Sequence, residues 1–561
     1  MIYLDISLPV PVDNRRYELQ KIRDSLTYVK YRVKSYRLKG KLKHERILIG
    51  KLSDEQLDGV KLFHPNSKYF EFFKKPLPTC STVKTVGRPR KIIDANNKDV
   101  SSKNDNLAFG YTIACHAIAK ELNLYKMLES SFGEKITNKI MAVASFFAAG
   151  APGGLTNIDH YTNKHMCFID KTLSSQELSE LYRDINSSDY NDFFRQWALY
   201  CCKDDYVCYD VTSISNYSTS MPMVAWGYNR DKEQLPQINV GLFCTIKHKL
   251  PVFFTPYNGS INDFTNLPYI LEQAKSCGIN FSKPITLVMD GGFAVKDSLE
   301  NIRNYGCDLI VGAPLDFCTN IRQYILNWRR SPLSNKTVLI QRSGETVRPS
   351  VEELSIGRIK TKLFMYKSPL STARDEQALT SYVNKISEEL SNITHISDIK
   401  LKQYSEFYDI RVNDKEITYK LKTEQYNQLL ELCGCFAILT TRDDLSPEEI
   451  FDIYRAKDCV EKAFAIYKND ILEERLEVKS QDSINGKMFL AFIALIIRKS
   501  LDNKLRSYLT KTRIGLDSAI SRLSDITCIK KDHNWMLKSA LTKQQKELIS
   551  VLNLPINYLD I

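Results

Sequence analysis

Three acidic residues, Asp210, Asp290 and Glu461, carry the chemistry that this sequence predicts. Asp210 lies within the apolar stretch 206–212, and Asp290 ends the apolar stretch 285–290 before a Gly-Gly pair. A carboxylate beside a buried strand needs a partner, although each Asp alone is also typical of a capped turn. Three converging carboxylates need cations, and hard oxygen ligands suit Mg²⁺ or Mn²⁺. The pattern predicts two such ions, which can clamp the attacking and leaving oxygens of a phosphodiester displacement.

Glu461 belongs to a predicted helix that carries a polar stripe. The segment 446–449 supplies an N-cap serine, a proline for the first turn and a capping-box glutamate, so a helix begins there. At about 100° per residue, Tyr454, Glu461 and Lys468 fall on one line, and Lys457 shares their face. The two lysines are expected beside substrate phosphates, and Tyr454 is expected to contact the substrate backbone or to orient an acid. A solvated helix with ordinary ion pairs is the alternative.

The elements that must position these acids predict an α/β fold. Periodicity predicts three helices before Asp210 and then strands with intervening helices, with spans of 108–128, 135–149 and 176–200 (helices), 206–212, 237–247 and 251–257 (strands), 264–277 (helix), and 285–290 and 308–311 (strands). This alternation favours a mixed-sheet core. A strand at 435–440 resumes that core and leads into the Glu461 helix.

Composition and periodicity divide the chain into seven segments. They are a basic N-terminal β region (1–75), a linker (76–106), a helical domain (107–200), a first core segment (201–313), a β-rich insertion (314–433), a second core segment (434–500) and a helical tail (501–561).

Positive charge is concentrated near the N-terminus, which points to a polyanion. The chain has a net charge of +12, and residues 14–51 hold thirteen Lys or Arg against three acids. Alternating hydrophobic and basic positions predict a small sheet with a turn near 39–41. The basic face of this sheet either contacts phosphates or is a solvated outer face. The motif GRPRK, with Arg88, Arg90 and Lys91, resembles an AT-hook and can bind along the narrow minor groove of A·T-rich DNA. The alternative is a plain basic linker.

Cysteine usage and hydropathy exclude other classes. The 14 cysteines show no metal-binding spacing and no signal peptide precedes them, so we expect free thiols in a reducing cytoplasm, near the nucleoid. The longest apolar run, 488–497, is too short to span a bilayer, so no membrane partner is expected.

The spacing Tyr454-x2-Lys457-x3-Glu461-x6-Lys468 resembles the Y-x2-R-x3-E-x6-K signature of DDE transposases of bacterial and archaeal insertion sequences. Lysine at 457 keeps the charge of the arginine but loses its bidentate fork. Four further segments resemble the same family, and the gap between the second and third acids is similar to that of members with a long insertion. These segments are YDVTS at 209–213, GYNRDKEQLPQ at 227–237, NGSINDFTN at 258–266 and VMDGGF at 288–293.

The resemblance implies a ribonuclease-H-like core in which Asp210, Asp290 and Glu461 hold two Mg²⁺ ions. It implies hydrolytic nicking of double-stranded DNA at transposon ends, strand transfer into target DNA, and a homodimer on paired ends. Arg230 in the 227–237 segment is expected to bind DNA. In relatives with the insertion an aromatic side chain can stabilise a flipped base, and Trp328 is one candidate, with core packing as the alternative.

Two other hypotheses remain open from the sequence. A catalytically silent DNA-binding relative would keep the fold without transposition. An unrelated phosphohydrolase would use Asp210 as the nucleophile and form an aspartyl-phosphate, but that hypothesis gives Glu461 no role.

Overall fold

The structure is a computed structural model that divides into two compact units, Met1–Ser101 and Ser102–Ile561. It describes residues 2–4, 8–10, 16–23, 26–38, 41–57, 60–74, 83–85, 106–151, 154–185, 187–202, 206–217, 221–277, 285–315, 319–331, 339–413, 416–472, 475–478, 480–531 and 534–554.

The N-terminal unit is built on a five-stranded antiparallel sheet in the order β2-β6-β5-β4-β3, with a separate β1-β7 pair. Its elements are β1 (Ile2–Leu4), β2 (Leu8–Pro9), β3 (Tyr17–Arg23), β4 (Leu26–Leu38), β5 (Lys41–Leu57), β6 (Val60–Pro65), α1 (Ser67–Phe72) and β7 (Val83–Thr85). Leu38 pairs with Lys41, which confirms the predicted turn. Val29, Ile49 and Phe63 of the strands and Tyr69 and Phe70 of α1 form a small core.

Part of the positive charge of this sheet is neutralised within it. Arg32 and Arg46 both bind the carboxylate of Glu18, with Arg32 Nε 2.7 Å from it. Phosphate contact by the sheet stays a prediction. The AT-hook-like residues Arg88, Arg90 and Lys91 lie outside the described residues.

The second unit begins with a short strand and a set of helices. They are β8 (Asn106–Ala108), α2 (Gly110–Glu121), α3 (Leu124–Phe132), α4 (Glu134–Ala148), α5 (Ile158–Lys164), α6 (Ser175–Asp184) and α7 (Ser187–Cys201). The three predicted helical regions are confirmed, but the first and third each divide into two helices. Asn123 interrupts the first with a left-handed φ of 54°, a conformation that a helix cannot contain.

The centre of the second unit is a nine-stranded mixed sheet in the order β11-β10-β9-β12-β13-β19-β16-β15-β14. Strand β12 is parallel to β9 and β13, and the other pairs are antiparallel. The predicted hairpin and acid-bearing strands are confirmed. The elements up to the third helix of this region are β9 (Tyr206–Ser215), β10 (Gln237–Thr245), β11 (Pro251–Asn258), α8 (Asp263–Ser276), β12 (Thr286–Met289), α9 (Lys296–Asn304), β13 (Asp308–Ala313) and α10 (Thr319–Arg330).

The central sheet continues into the predicted insertion at 314–433. Strands β14 (Ile340–Arg342), β15 (Glu345–Ile356) and β16 (Ile359–Lys367) extend it beyond β19 (Cys435–Thr440). The residues between β16 and β19 form a second, smaller core from Val383, Ile386, Leu390, Tyr408 and Ile417 among others. They comprise α11 (Pro369–Asn392), α12 (Asp398–Tyr404), β17 (Tyr408–Asn413), β18 (Glu416–Leu421) and α13 (Thr423–Leu432).

The C-terminal part contains a long buried helix but is not wholly helical. It comprises α14 (Pro447–Ala456), α15 (Asp458–Ala465), a π-helical turn (Ile466–Ile471), α16 (Gln481–Thr512), α17 (Leu516–Ser524), β20 (Thr527–Lys531), β21 (Asn534–Leu537) and α18 (Lys543–Val551). The predicted helical tail is therefore wrong at β20–β21, because β20 pairs with the distant β8 as well as with β21. Among the described residues, no helix is long and apolar enough to cross a membrane.

Candidate active site

The first two predicted acids lie side by side on neighbouring strands. In the parallel β9–β12 pair Tyr209 is in register with Met289, so the next residues, Asp210 and Asp290, stand at the same level. Both strands are apolar and buried, because each is covered on both faces. The sheet register therefore brings together two acids that are 80 residues apart in the sequence.

The two Asp side chains have different surroundings. An oxygen of Asp210 accepts a hydrogen bond from the Val211 backbone N–H at 2.8 Å. Burial raises the pKa of the Asp210 carboxyl, and the Val211 hydrogen bond and the charges of Lys457 and Arg230 only partly offset that rise. The Asp290 side chain is 59% exposed, so this acid faces the solvent in front of the sheet.

The helix that carries Glu461 begins where the sequence predicts. Ser446 caps α14 and forms a capping box with Glu449, and Pro447 occupies the first turn. Helix α14 ends at Ala456, α15 begins at Asp458, and α15 packs on β9 and β10.

Lys457, between the two helices, is the cation around which the acids meet. Its Nζ lies 2.8 Å from Glu461 Oε1 and 3.9 Å from Asp290 Oδ1. Burial alone would lower the pKa of Lys457, but the hydrogen bond to Glu461 and the charges of Asp290 and Asp210 outweigh burial and raise it. The Lys457 side chain is 8% exposed whereas that of Glu461 is 58% exposed, so the ammonium binds Glu461 from the buried side of the carboxylate.

Tyr454 fits into a space that a glycine of the sheet leaves open. A Cβ atom on Gly312 would lie 3.1 Å from Tyr454 Cζ and closer still to the hydroxyl. Burial and the negative charge of Asp290 raise the pKa of Tyr454 to about 12, so the phenol stays protonated beside that acid. The predicted role of Tyr454 next to an acid is consistent with this position.

Lys468 and Arg230 are engaged with other acids. The prediction of one continuous helix to Lys468 is wrong, because a π-helical turn begins at Ile466 and changes the direction of the side chains. Lys468 forms its ion pair with Asp231. Arg230 Nη2 lies 2.5 Å from Asp263, at the edge of the site. Lys457 and Lys468, the two lysines of the Glu461 motif, therefore both have acidic partners.

Two clefts open on either side of Asp290. The strand-side cleft, of about 260 Å³, is lined by Asp210, Arg230, Asn239, Asp263, Asp290 and Phe293, among others. The helix-side cleft, of about 670 Å³, is lined by Asp290, Tyr454, Lys457, Glu461, Lys249 and Lys499, among others. Trp328 lines neither cleft and is buried in the main core, so core packing describes it better than base stacking.

The sequence reasoning missed Lys249 and Lys499. Lys499 belongs to α16, two residues after the end of the apolar run 488–497. A lysine so close to an apolar run of a helix is a signal that could have identified it. Lys249 follows β10 in the hairpin turn, where nothing local distinguishes it from other turn residues.

The acids fit divalent cations by their chemistry. Within the ranges that the structure describes, no three acidic, histidine or cysteine side chains lie close enough together to enclose a metal ion. The Lys457 ammonium occupies the place between Glu461 and Asp290, which indicates that the carboxylates stabilise positive charge there. Carboxylate oxygens are the ligands that Mg²⁺ and Mn²⁺ prefer.

Comparison with protein families identifies the class of this protein. The transposase DDE domain matches residues 202–497, more than half of the chain, and the chain belongs to that family. It is a DDE transposase, and members of the family generally use divalent metal ions. The phosphohydrolase hypothesis is therefore wrong.

Other comparisons add little to that assignment. No curated protein sequence matches the chain. One solved structure with some similarity is the cryo-EM structure of a piggyBac transposase synaptic complex with hairpin DNA. It is 11% identical in sequence, the match covers 80% of this chain and 82% of that chain, and the TM-score is 0.33.

Proposed function

We propose that this transposase cuts DNA at transposon ends and joins the freed ends to target DNA, with Asp210, Asp290 and Glu461 as its catalytic acids. The observation that carries the proposal is that Lys457 lies between the helix-borne Glu461 and the strand-borne Asp290, with Asp210 at the level of Asp290 on the neighbouring strand. In the first step water attacks a phosphorus atom and the bond to the 3′ oxygen breaks. In the second step that 3′-hydroxyl attacks a target phosphodiester and displaces another 3′ oxygen.

Two Mg²⁺ or Mn²⁺ ions held by the three acids would stabilise charge on the attacking and leaving oxygens. The residues of the chain prepare that site. Lys457 balances the negative charge of the acids, and Tyr454 supports Asp290 from the Gly312 side of the sheet.

The wider assembly forms part of the same proposal. The mixed sheet would be a ribonuclease-H-like core of the bacterial and archaeal insertion-sequence type, with the segment boundaries predicted above. The chain would act as a homodimer on paired double-stranded ends. The DNA contacts would come from Tyr454, Lys457, Lys468, Arg230, Arg88, Arg90 and Lys91.

Cleavage of a labelled duplex that carries the element's own ends tests the proposal. We expect nicking with Mg²⁺ or Mn²⁺, none with EDTA, and a loss of at least about 100-fold in Glu461→Gln and in Asp210→Asn, because each removes a charged ligand. Glu448→Gln is the matched control, since Glu448 lies in the first turn of α14 and lines neither cleft.

Binding measurements separate the proposal from a silent DNA-binding relative. The two acid variants should still bind the ends, because the acids do not contribute positive charge. Tight binding by the wild type without cleavage under either metal would favour the silent relative, and nicking that survives in both variants would disprove the three-acid site.

A further inference from the structure

Two lysines of α16 are equally buried but have different partners. Lys487 and Lys499 are each 1% exposed. Lys487 Nζ donates a hydrogen bond to the Leu476 carbonyl at 2.6 Å. Lys499 forms no ion pair or side-chain hydrogen bond within the part of the chain that the structure describes, and its side chain lines the helix-side cleft. An ammonium buried without a partner is costly, so Lys499 is poised for an anion.

The groups that face Lys499 come from three elements. Asp502 and Arg506 belong to α16 and pair with each other, with Arg506 Nη2 3.1 Å from Asp502. Cys244 of β10 and Cys459 of α15 contribute thiols that stay neutral, because burial raises the pKa of Cys244, and the hydrogen bond with Cys208 together with burial raises the pKa of Cys459. Burial lowers the pKa of Lys499, and the negative charge of Asp502 only partly offsets this.

A second lysine without a partner shares this end of the cleft. Lys249 lies in the turn between β10 and β11 and forms no ion pair among the described residues. The turn that carries Lys249 lies against α16 near Lys499, because Asn503 of α16 donates a hydrogen bond to the His248 carbonyl at 3.0 Å, and both lysines line the same cleft. The other basic residues nearby have partners: Lys457 pairs with Glu461, and Lys462 with Asp458.

We propose that Lys499 and Lys249 form a phosphate site that holds a DNA backbone phosphodiester beside Glu461. The proposal rests on the proposed function, since DNA is the polyanion that a transposase must place against its acids. A lysine ammonium binds phosphate as a point charge without sequence preference, and a compact pair can hold one phosphodiester group. Because the site lies in the same cleft as Glu461, it would position the strand along the helix side of the acids.

The test compares Lys499→Met with Lys487→Met in full-length protein that also carries Glu461→Gln, without metal. The probes are a duplex with the element's end and a duplex of unrelated sequence. We expect Lys499→Met to bind both duplexes roughly three- to tenfold more weakly and to reduce the slope of log affinity against log salt by about 1. Its Tm should stay equal or rise, because a buried charge without a partner is removed.

Lys487→Met should show the opposite behaviour. It leaves the Leu476 carbonyl without its donor, so the Tm should fall while affinity and salt slope stay unchanged. If Lys499→Met does not fold, Lys249→Gln in the hairpin turn tests the same site and should also reduce the salt slope. The proposal is overturned if the lysine variants that fold bind DNA with wild-type affinity and salt slope.

Two activity arms, without Glu461→Gln, identify which DNA supplies the phosphate. Cleavage of intact ends that falls with Lys499→Met indicates the transposon end, whereas loss only in strand transfer from pre-cut ends indicates target DNA. Failure of the wild type to cleave would contradict the proposed function but leave the binding comparison intact. The two proposals can therefore fail separately.

Discussion

Asp210 and Asp290 are held by the main chain of two adjacent strands, whereas Glu461 is held by a side chain, the ammonium of Lys457. The register between β9 and β12 sets the level of the two Asp residues, and β12 is bonded on both sides within the sheet. Glu461 lies on a helix that is interrupted at Lys457 and followed by a π-helical turn. Packing of α15 on β9 and β10 thus places the backbone of the third acid, and the Lys457 side chain orients its carboxylate.

This difference teaches which half of the site is adjustable. Side-chain substitutions do not shift the register of a parallel strand pair that is buried on both faces. The strand half of the site, Asp210 and Asp290, therefore keeps a fixed position. The helix half depends on an ion pair in which Glu461 is 58% exposed, and such pairs are weak individually. Apart from the three acids themselves, we therefore expect substitutions on the helix side to change activity gradually, and substitutions where the halves join to have the largest effects.

Outside the three acids, the largest effect is expected from Gly312→Ala, where β13 meets Tyr454. The added Cβ would collide with the phenol ring and hydroxyl, and would lie 3.2 Å from the Gly291 backbone nitrogen next to Asp290. We expect the free energy of unfolding to fall by about 1–3 kcal/mol and DNA cleavage to fall at least about tenfold. Urea denaturation and the end-cleavage assay measure the two quantities.

Gly292→Ala controls for the loss of a glycine near the acids, because a Cβ there meets nothing within 4 Å. Its free energy of unfolding should be unchanged. Adding Tyr454→Phe to Gly312→Ala should restore part of the stability, since the closest atom is removed. Equal stability of the two alanine variants would contradict the account of how the halves join.

A smaller effect is expected from Lys457→Met, which removes the cation from between the acids. Without divalent ions the free energy of unfolding should fall by about 1 kcal/mol, because two ion pairs with exposed carboxylates are lost. The rise in Tm on adding Mn²⁺ should then exceed that of the wild type, because no ammonium competes for the acids. Thermal unfolding across a Mn²⁺ titration measures this.

Lys462→Met is the matched variant, since Lys462 pairs with Asp458 on the same helix. It should show the wild-type response to Mn²⁺. If Lys457→Met also responds like the wild type, the ammonium does not lie where a divalent ion binds. The inference that the helix half of the site is adjustable would then be wrong.

The sequence predicted the local parts of this site better than the distant ones. The capping box at 446–449 and the apolar strands that carry Asp210 and Asp290 depend on neighbouring residues, and the structure contains them. Their mutual register was not predictable, because it depends on which strands pair across 80 residues. For the same reason the sequence did not predict that β14–β16 extend the central sheet, because this depends on the pairing of β16 with the distant β19.

The error at Lys468 has the same origin. A regular helix would place Lys468 in line with Glu461, but the chain forms a π-helical turn there and Lys468 binds Asp231 in the loop before β10. No local pattern indicates a partner 237 residues away. Lys249 and Lys499 were missed similarly, because the hairpin and α16 meet only in the folded chain, where Asn503 donates a hydrogen bond to the His248 carbonyl at 3.0 Å.

The smallest effect is expected from Asp231→Asn, which releases Lys468 from its acidic partner. The Lys468 side chain is 11% exposed and Asp231 is 48% exposed, so the ion pair contributes at most about 0.5 kcal/mol to the free energy of unfolding. If Lys468 faces DNA as proposed, the freed charge should strengthen duplex binding roughly twofold and increase its salt dependence. Asp192→Asn adds the same net charge on α7, where Asp192 pairs with Arg195, and should change neither quantity. Identical binding by both variants would show that the Lys468 ammonium lies away from the DNA path, and the helix half would then end at Glu461.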